Sequence, residues 1–192
     1  LHLNPAQEIV QFEGDRNFKG ILENIENIVK NSSVPVIIKE TGCGISKKTC
    51  EKLLNVGVKY IDISGFGGTN FIEIENLRRT DLDFTNIYGW GIPTAKCIID
   101  CRGISKDFTL IGSGGIKTGE DIAKAIILGS DMTAIAGEVL RYLIHGGYKF
   151  AEDYLKSLIY QTKMIMLLVG ARNIEELKQV EYKTFGKLKD IL

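Results

Sequence analysis

The stretch from Phe108 to Gly137 carries the strongest chemical signal in the chain. An apolar run, Phe108 to Ile111, meets a glycine cluster at Gly112, Gly114 and Gly115. A short helical pattern follows to Leu128-Gly129, and a second apolar run ends at Ala136-Gly137. The order reads as strand, tight turn, helix and strand, with glycine at the carboxyl end of both strands. Turns without side chains let backbone N–H groups approach an anion, and the N-terminus of the following helix adds favourable partial charge. A phosphorylated ligand is the expected occupant.

Three further groups bear on chemistry. His2-Leu-Asn4-Pro-Ala-Gln7-Glu8 sets four polar side chains after a strand-like run. His2 and Asn4 can donate to phosphate oxygens, Gln7 can hydrogen-bond without charge, and Glu8 is a hard oxygen ligand of the kind Mg2+ takes beside substrate phosphates. The alternative is simple turn chemistry, with Asn-Pro as initiator. Lys39 ends the apolar run Pro35 to Ile38 and is placed either at a ligand-facing mouth or as a snorkelling surface lysine. Asp62-Ile-Ser64-Gly-Phe-Gly-Gly68-Thr69-Asn70 is a second glycine loop whose hydroxyls could bond a polar cofactor. It fits neither a Walker loop nor a Rossmann fingerprint. Trp90, between two glycines, reads as a loop anchor packed on a neighbouring helix. Met164 and Met166 read as core, and His145 as an exposed loop histidine.

Five strand-like runs alternate with helical patterns, the signature of βαβ units around a parallel sheet. They are Leu1 to Leu3, Pro35 to Lys39, Lys59 to Ser64, Thr109 to Ser113 and Met132 to Ala136. Helical patterns cover Phe18 to Lys30, Ser46 to Asn55 with a serine cap, Pro93 to Cys101, and Gly119 to Leu128. After Gly146-Gly147 they cover Phe150 to Val169 and Asn173 to Leu177. A flavodoxin-like open sheet also has five parallel strands. Glycine clusters at the last two strands and polar residues at the strand ends favour a (β/α)8 barrel, which places its chemistry there. The expected fold is α/β: about the last five βα units of a (β/α)8 TIM barrel plus carboxyl-terminal helices, with residues 1–192 as one domain.

Bulk properties narrow the class. The 192 residues carry 24 basic and 24 acidic side chains, so no charge footprint points to nucleic acid or a membrane surface. No apolar run approaches the ~20 residues that span a bilayer. Cys43, Cys50, Cys97 and Cys101 lack the paired spacing of a zinc site and read as reduced, packed thiols of a cytoplasmic protein. A chain beginning at Leu1, inside a strand-like run, reads as part of a longer polypeptide.

Taken together, His2-Leu-Asn-Pro-Ala-Gln-Glu8, Glu13-Gly-Asp15, Ile38-Lys-Glu40, Ser64-Gly-Phe-Gly-Gly-Thr69-Asn70, Trp90-Gly-Ile-Pro-Thr94 and Gly112-Ser-Gly-Gly-Ile116 resemble the type 2 isopentenyl diphosphate isomerases, in the family's order. The resemblance implies an FMN-dependent barrel that interconverts isopentenyl and dimethylallyl diphosphates. It implies Mg2+ and reduced flavin, commonly supplied through NADPH, with the flavin as acid and base and no net redox change. By motif, Gln7 contacts the reacting end of the substrate as the catalytic candidate, Glu8 holds Mg2+, and His2 and Asn4 lie beside the diphosphate. Lys39, Ser64 and Thr69 contact FMN, while Gly114, Gly115, Ile116, Lys117, Ala136 and Gly137 bind its phosphate. Such barrels often form homo-oligomers, tetramers among them. The family's amino-terminal part is absent, and the interval from Arg79 to Trp90 is short for it.

Two other functions compete. One is an oxidoreductase on the same flavin barrel, of the hydroxy-acid oxidase or dihydroorotate dehydrogenase type, which needs a base at a late strand end. The other is a non-catalytic fragment that binds phosphate.

Overall fold

The computed structural model describes every residue except Thr80. The order of elements is α1 (Pro5–Val10), α2 (Ile21–Asn31), β1 (Ile37–Lys39), α3 (Lys47–Asn55), β2 (Tyr60–Asp62), α4 (Phe71–Arg78), α5 (Thr94–Arg102), β3 (Thr109–Ser113), α6 (Gly119–Ile127), β4 (Met132–Ala134), α7 (Gly137–Leu168), α8 (Ile174–Leu177) and α9 (Gly186–Ile191). The fold is α/β. The strands form one parallel sheet in the order β1-β2-β3-β4, with Ile38 beside Ile61 and Ile61 beside Leu110.

Among the described residues four strands stand where five were expected. Leu1 to Leu3 do lie parallel to β1, with Lys39 N–H donating to Leu1 O at 2.9 Å and Leu3 N–H to Lys39 O at 2.6 Å. Only the His2–Lys39 bridge forms, because Asn4-Pro5 turns the chain at once into α1. β3 spans the expected Thr109–Ser113, whereas β1, β2 and β4 are shorter than their apolar runs. Ser64 takes φ +34°, which ends the extended run two residues after β2.

Period-2 alternation sorts the sheet's two faces. Ile38, Ile61 and Leu110 are fully buried against Ile25 of α2, Cys50 and Leu53 of α3, and Cys97, Ile98 and Cys101 of α5. The opposite face carries Ile37 and Met132, 43% and 50% exposed, and at its carboxyl end Lys39, Asp62 and Ser113. A second cluster joins Ala123 and Ile126 of α6 to Leu177 of α8.

The helix signals hold where a cap supports them. Ser46 Oγ accepts from Thr49 N–H at 3.2 Å, and Gly57 ends the following turn at φ +89°. Thr118 and Asp121 form a reciprocal capping box on α6. Other expectations fail for identifiable reasons. The Asn4-Pro5 segment is a helix start, with Pro5 in its first turn. His145 is exposed, as expected, but lies on a helical arm and not in a loop, since α7 runs from Gly137 and breaks only at Gly147, φ +72°. Trp90 is 70% exposed and anchors nothing; Gly91 instead packs against the Phe66 ring, so closely that a Cβ there would lie 2.7 Å from Phe66 Cβ. Met164 is 47% exposed, whereas Met166 packs on the second cluster. Cys50, Cys97 and Cys101 are buried free thiols, as expected. No helix among the described residues is long and apolar enough to cross a membrane.

One buried group has no partner. Ser130 Oγ, fully enclosed, fills the space that Gly112 leaves by lacking a Cβ, and finds no hydrogen bond among the described residues. An orphaned buried hydroxyl costs stability. Ser130→Ala is therefore expected to leave the thermal midpoint unchanged or raised, while Leu110→Ala lowers stability by about 2–5 kcal/mol; chemical denaturation of both variants checks the contrast.

Candidate functional site

The glycine loops at the carboxyl edge of the sheet meet each other first. After β2 the chain runs Ser64 to Asn70, and after β3 it runs Gly114 to Lys117. Gly114 and Gly115 adopt φ +100° and +81°. A Cβ on Gly68 would lie 2.7 Å from the Gly115 nitrogen, and one on Gly67 would lie 3.3 Å from the Gly114 oxygen. A Cβ on Gly114 or Gly115 would collide with the Gly65 or Gly67 backbone. The two loops are thus in backbone contact, and Thr94 Oγ1 donates to Gly114 O at 2.6 Å to lock the seam. Asp62 anchors the same seam from below, accepting from the Ser113 hydroxyl and from Ser64 N–H at 3.3 Å.

Both features of an anion cradle are present. Among the described residues, the N–H groups of Gly114, Gly115 and Ile116 donate to no protein acceptor. α7 begins at Gly137 without a side-chain cap on Ala136, which leaves its first N–H groups free. The β2 loop reaches this helix start too, since a Cβ on Gly137 would lie 3.2 Å from Thr69 Oγ1. Lys117 departs from the expected role, because its N–H donates to Asp121 Oδ2 at 3.0 Å and supports α6. Its ammonium pairs instead with Glu138 at 3.6 Å.

The polar set after the first strand forms a second group. Asn4 Nδ2 donates to Gln7 Oε1 at 3.1 Å and to Glu8 Oε1 at 3.0 Å, and Glu8 Oε2 accepts from Asp15 N–H at 2.9 Å. Gln7 Nε2 reaches Glu75 on α4 at 3.4 Å, and Arg78 pairs with Glu75 at 2.7 Å. His2, Asn4, Glu8, Glu40, Cys43 and Trp90 line one open groove of 1320 Å³. The cradle residues do not line it. Each oxygen of Glu8 retains a lone pair for a cation, and no cluster of three His, Cys, Asp or Glu side chains occurs among the described residues. A cation at Glu8 would then take its other ligands from substrate and water, the mode that suits Mg2+.

Two residues escaped the sequence reading. Glu75 is buried on α4, a helix with no apolar stripe to announce it because Ile74 and Leu77 face solvent. Glu40 is the other. Its Oε2 accepts from the backbone N–H groups of Thr41, Gly42, Cys43 and Gly44 at 2.6, 2.6, 2.5 and 3.1 Å. The β1 loop folds around this carboxylate as other loops fold around a bound anion. Lys39 donates to the Glu40 carbonyl at 2.6 Å, which holds its ammonium at the strand end instead of letting it snorkel outward. Burial and the Glu40 charge push the Cys43 thiol up to about 11.

A parallel sheet with converging glycine loops and uncommitted N–H groups at its carboxyl edge defines an α/β protein of the class that places its ligand sites at that edge. A family model of FMN-dependent dehydrogenases matches residues 4–184, and the chain belongs to that family. A curated relative from Bacillus cytotoxicus, named isopentenyl-diphosphate delta-isomerase, is 52% identical over 180 residues, covering 94% of this chain and 51% of the relative. Relatives of the same name from Geobacillus sp. and Bacillus licheniformis are 46% and 48% identical, over 94% and 93% of this chain and 51% of each relative. The chain spans about half the length of the curated relatives it matches. Among solved structures, a lactate oxidase of Pediococcus acidilactici superposes with a TM-score of 0.67 at 21% identity, over 90% of this chain and 43% of the oxidase. A mandelate oxidase superposes at 0.68 and 17%, over 91% and 48%. At these identities the likeness is one of fold.

Two consequences are measurable. Glu40→Ala should lower the thermal midpoint markedly, since four N–H groups lose one acceptor, and added formate should recover part of the loss. Cys43 in the folded protein should alkylate at pH 8 far more slowly than in urea, because the folded thiol remains protonated until well above that pH; equal rates would contradict the shift.

Proposed function

We propose that residues 1–192 form a single domain, the carboxyl-terminal part of an FMN-binding (β/α)8 barrel that isomerises isopentenyl diphosphate to dimethylallyl diphosphate. The observation that carries this reading is the Asn4–Gln7–Glu8 network at the mouth of a sheet whose later loops present free N–H groups. The names of the relatives support the substrate class.

In this reading FMN sits with its phosphate on the N–H groups of Gly114, Gly115 and Ile116 and on the helix start at Ala136 and Gly137. Ser64, Thr69 and Lys39 meet the rest of it. Reduced flavin, with NADPH as the source of electrons, supplies the acid–base chemistry. The protein's own residues bind and orient. Glu8 holds Mg2+ against the diphosphate and His2 lies beside it, while Asn4, both of whose amide hydrogens are spent on Gln7 and Glu8, orients that pair. Asn4 and Glu75 grip Gln7 from both ends of its amide, which fixes the amide plane toward the reacting carbons. A side chain fixed from two directions loses little freedom on binding, and that lowers the cost of orientation.

The oxidoreductase alternative needs a base at a late strand end. Ser113 there is committed to Asp62, and the Cys43 thiol is pushed up to about 11, so it stays neutral. His145 lies out on the first arm of α7.

Glu8→Gln should weaken Mg2+-dependent binding of the diphosphate at least tenfold while leaving FMN affinity within twofold, because a neutral amide replaces a charged hard ligand poorly. Parallel titrations of the intact protein with isopentenyl diphosphate and with FMN decide the point. Equal loss of both would make Glu8 a folding residue. The same protein should turn over isopentenyl diphosphate only with reduced flavin, and net oxidation of substrate would sink the isomerase reading. A colourless preparation would favour the phosphate-binding fragment.

A further inference from the structure

The two N–H groupings of the cradle are tied together by side chains that the reading above does not use. Tyr154 Oη, on the second arm of α7, donates to the Lys117 carbonyl at 2.8 Å. Its ring stacks on Tyr142, of the first arm, with centroids 4.4 Å apart and planes at 18°. The Arg141 guanidinium lies 4.8 Å from the Tyr142 ring centre and pairs with Glu138 at 2.6 Å. Glu138 faces Lys117 Nζ at 3.6 Å, and the circuit closes on the residue where it began. Gly147 allows this closure. Its φ of +72° breaks the helical run between Tyr142 and Tyr154.

The circuit joins the end of the Gly114–Lys117 loop to the first turn of α7. Those are the segments whose free N–H groups would have to address the same phosphate. Hydrogen bonds lose strength steeply with misalignment, so two donor sets act on one anion only if their separation is held. The circuit also sets local charge. Lys117 and Arg141 offset Glu138 and the Asp121 carboxylate that accepts from Lys117 N–H, so no net negative charge stands against an anion at the adjoining cradle. Glu138 alone, on the second residue of the helix, would repel one.

We propose that the Lys117–Tyr154–Tyr142–Arg141–Glu138 circuit is the specificity element for the flavin's phosphate, holding the two halves of the cradle in register so that the protein retains FMN over riboflavin. The proposal rests on the FMN reading and concerns positioning residues outside direct flavin contact. Riboflavin shares the ring system and ribityl chain and lacks only the phosphate, so the ratio of the two affinities isolates the cradle from the rest of the site.

Dissociation constants for FMN and riboflavin are measured by flavin fluorescence on the intact protein and its variants. Tyr154→Phe keeps the stack and removes one hydroxyl; FMN should weaken about fivefold, the worth of one hydrogen bond, with riboflavin unchanged. Tyr142→Leu removes the stack and should lower the same ratio. Lys149→Ala, whose partners Glu152 and Asp153 lie outside the circuit, should leave it alone. Equal weakening of both flavins in Tyr154→Phe and Tyr142→Leu, or a ratio unmoved in both, overturns the proposal while the FMN reading stands. A wild-type protein that does not prefer FMN overturns the phosphate reading itself, and the circuit's role with it.

Discussion

The contact between the loops after β2 and β3 is the constraint from which the site is built. Backbone packs on backbone there, with Gly65, Gly67 and Gly68 on one side and Gly114 and Gly115 on the other. A side chain on Gly68, Gly114 or Gly115 would force the loops apart, and one on Gly65 would strike Thr94 instead. The usual reason for glycine in a phosphate loop is room for the ligand. Here the first demand for room comes from the neighbouring loop, and the free N–H groups are a consequence of how tightly the two strands' ends are joined. A substitution at Gly115 therefore strikes the frame before it touches any cofactor, and a loss of flavin on such a change cannot by itself assign the contact.

Much of the frame was legible because burial leaves a period. Ile38, Ile61 and Leu110 sit in apolar runs whose alternation puts them on the helix-facing side. The cap at Ser46 and the terminator at Gly57 mark element ends through residue types that do little else. α4 left no such trace, since the side chain it buries besides Ile72 is a glutamate, and burial of a charge follows from its partners and not from a pattern. α1 was hidden for a related reason. Asn4-Pro5 initiates a turn or a helix equally well, and the choice falls to Gln7 and Glu8 finding Asn4 behind them.

The site divides along the same line. The glycine loops and the polar group at residues 2–8 announce themselves by composition. Glu40 does not, because all four of its donors are main chain and any residue could supply them. The circuit through Tyr142 and Tyr154 depends on a break at Gly147 that the helical period reads as an end. Side chains twelve positions apart then meet as neighbours, which no local window detects.

Glu40 gives the two sides of the sheet's edge different histories. The β1 loop contains its own anion, so its four amides are satisfied as soon as the chain folds. The β3 loop holds equivalent amides with nothing of the protein's to receive them. The mouth is thus half finished by covalent design and half by whatever arrives. The unfilled rim is nonetheless fixed in place by the β2 loop and Thr94, so its donors stand preorganised before anything reaches them.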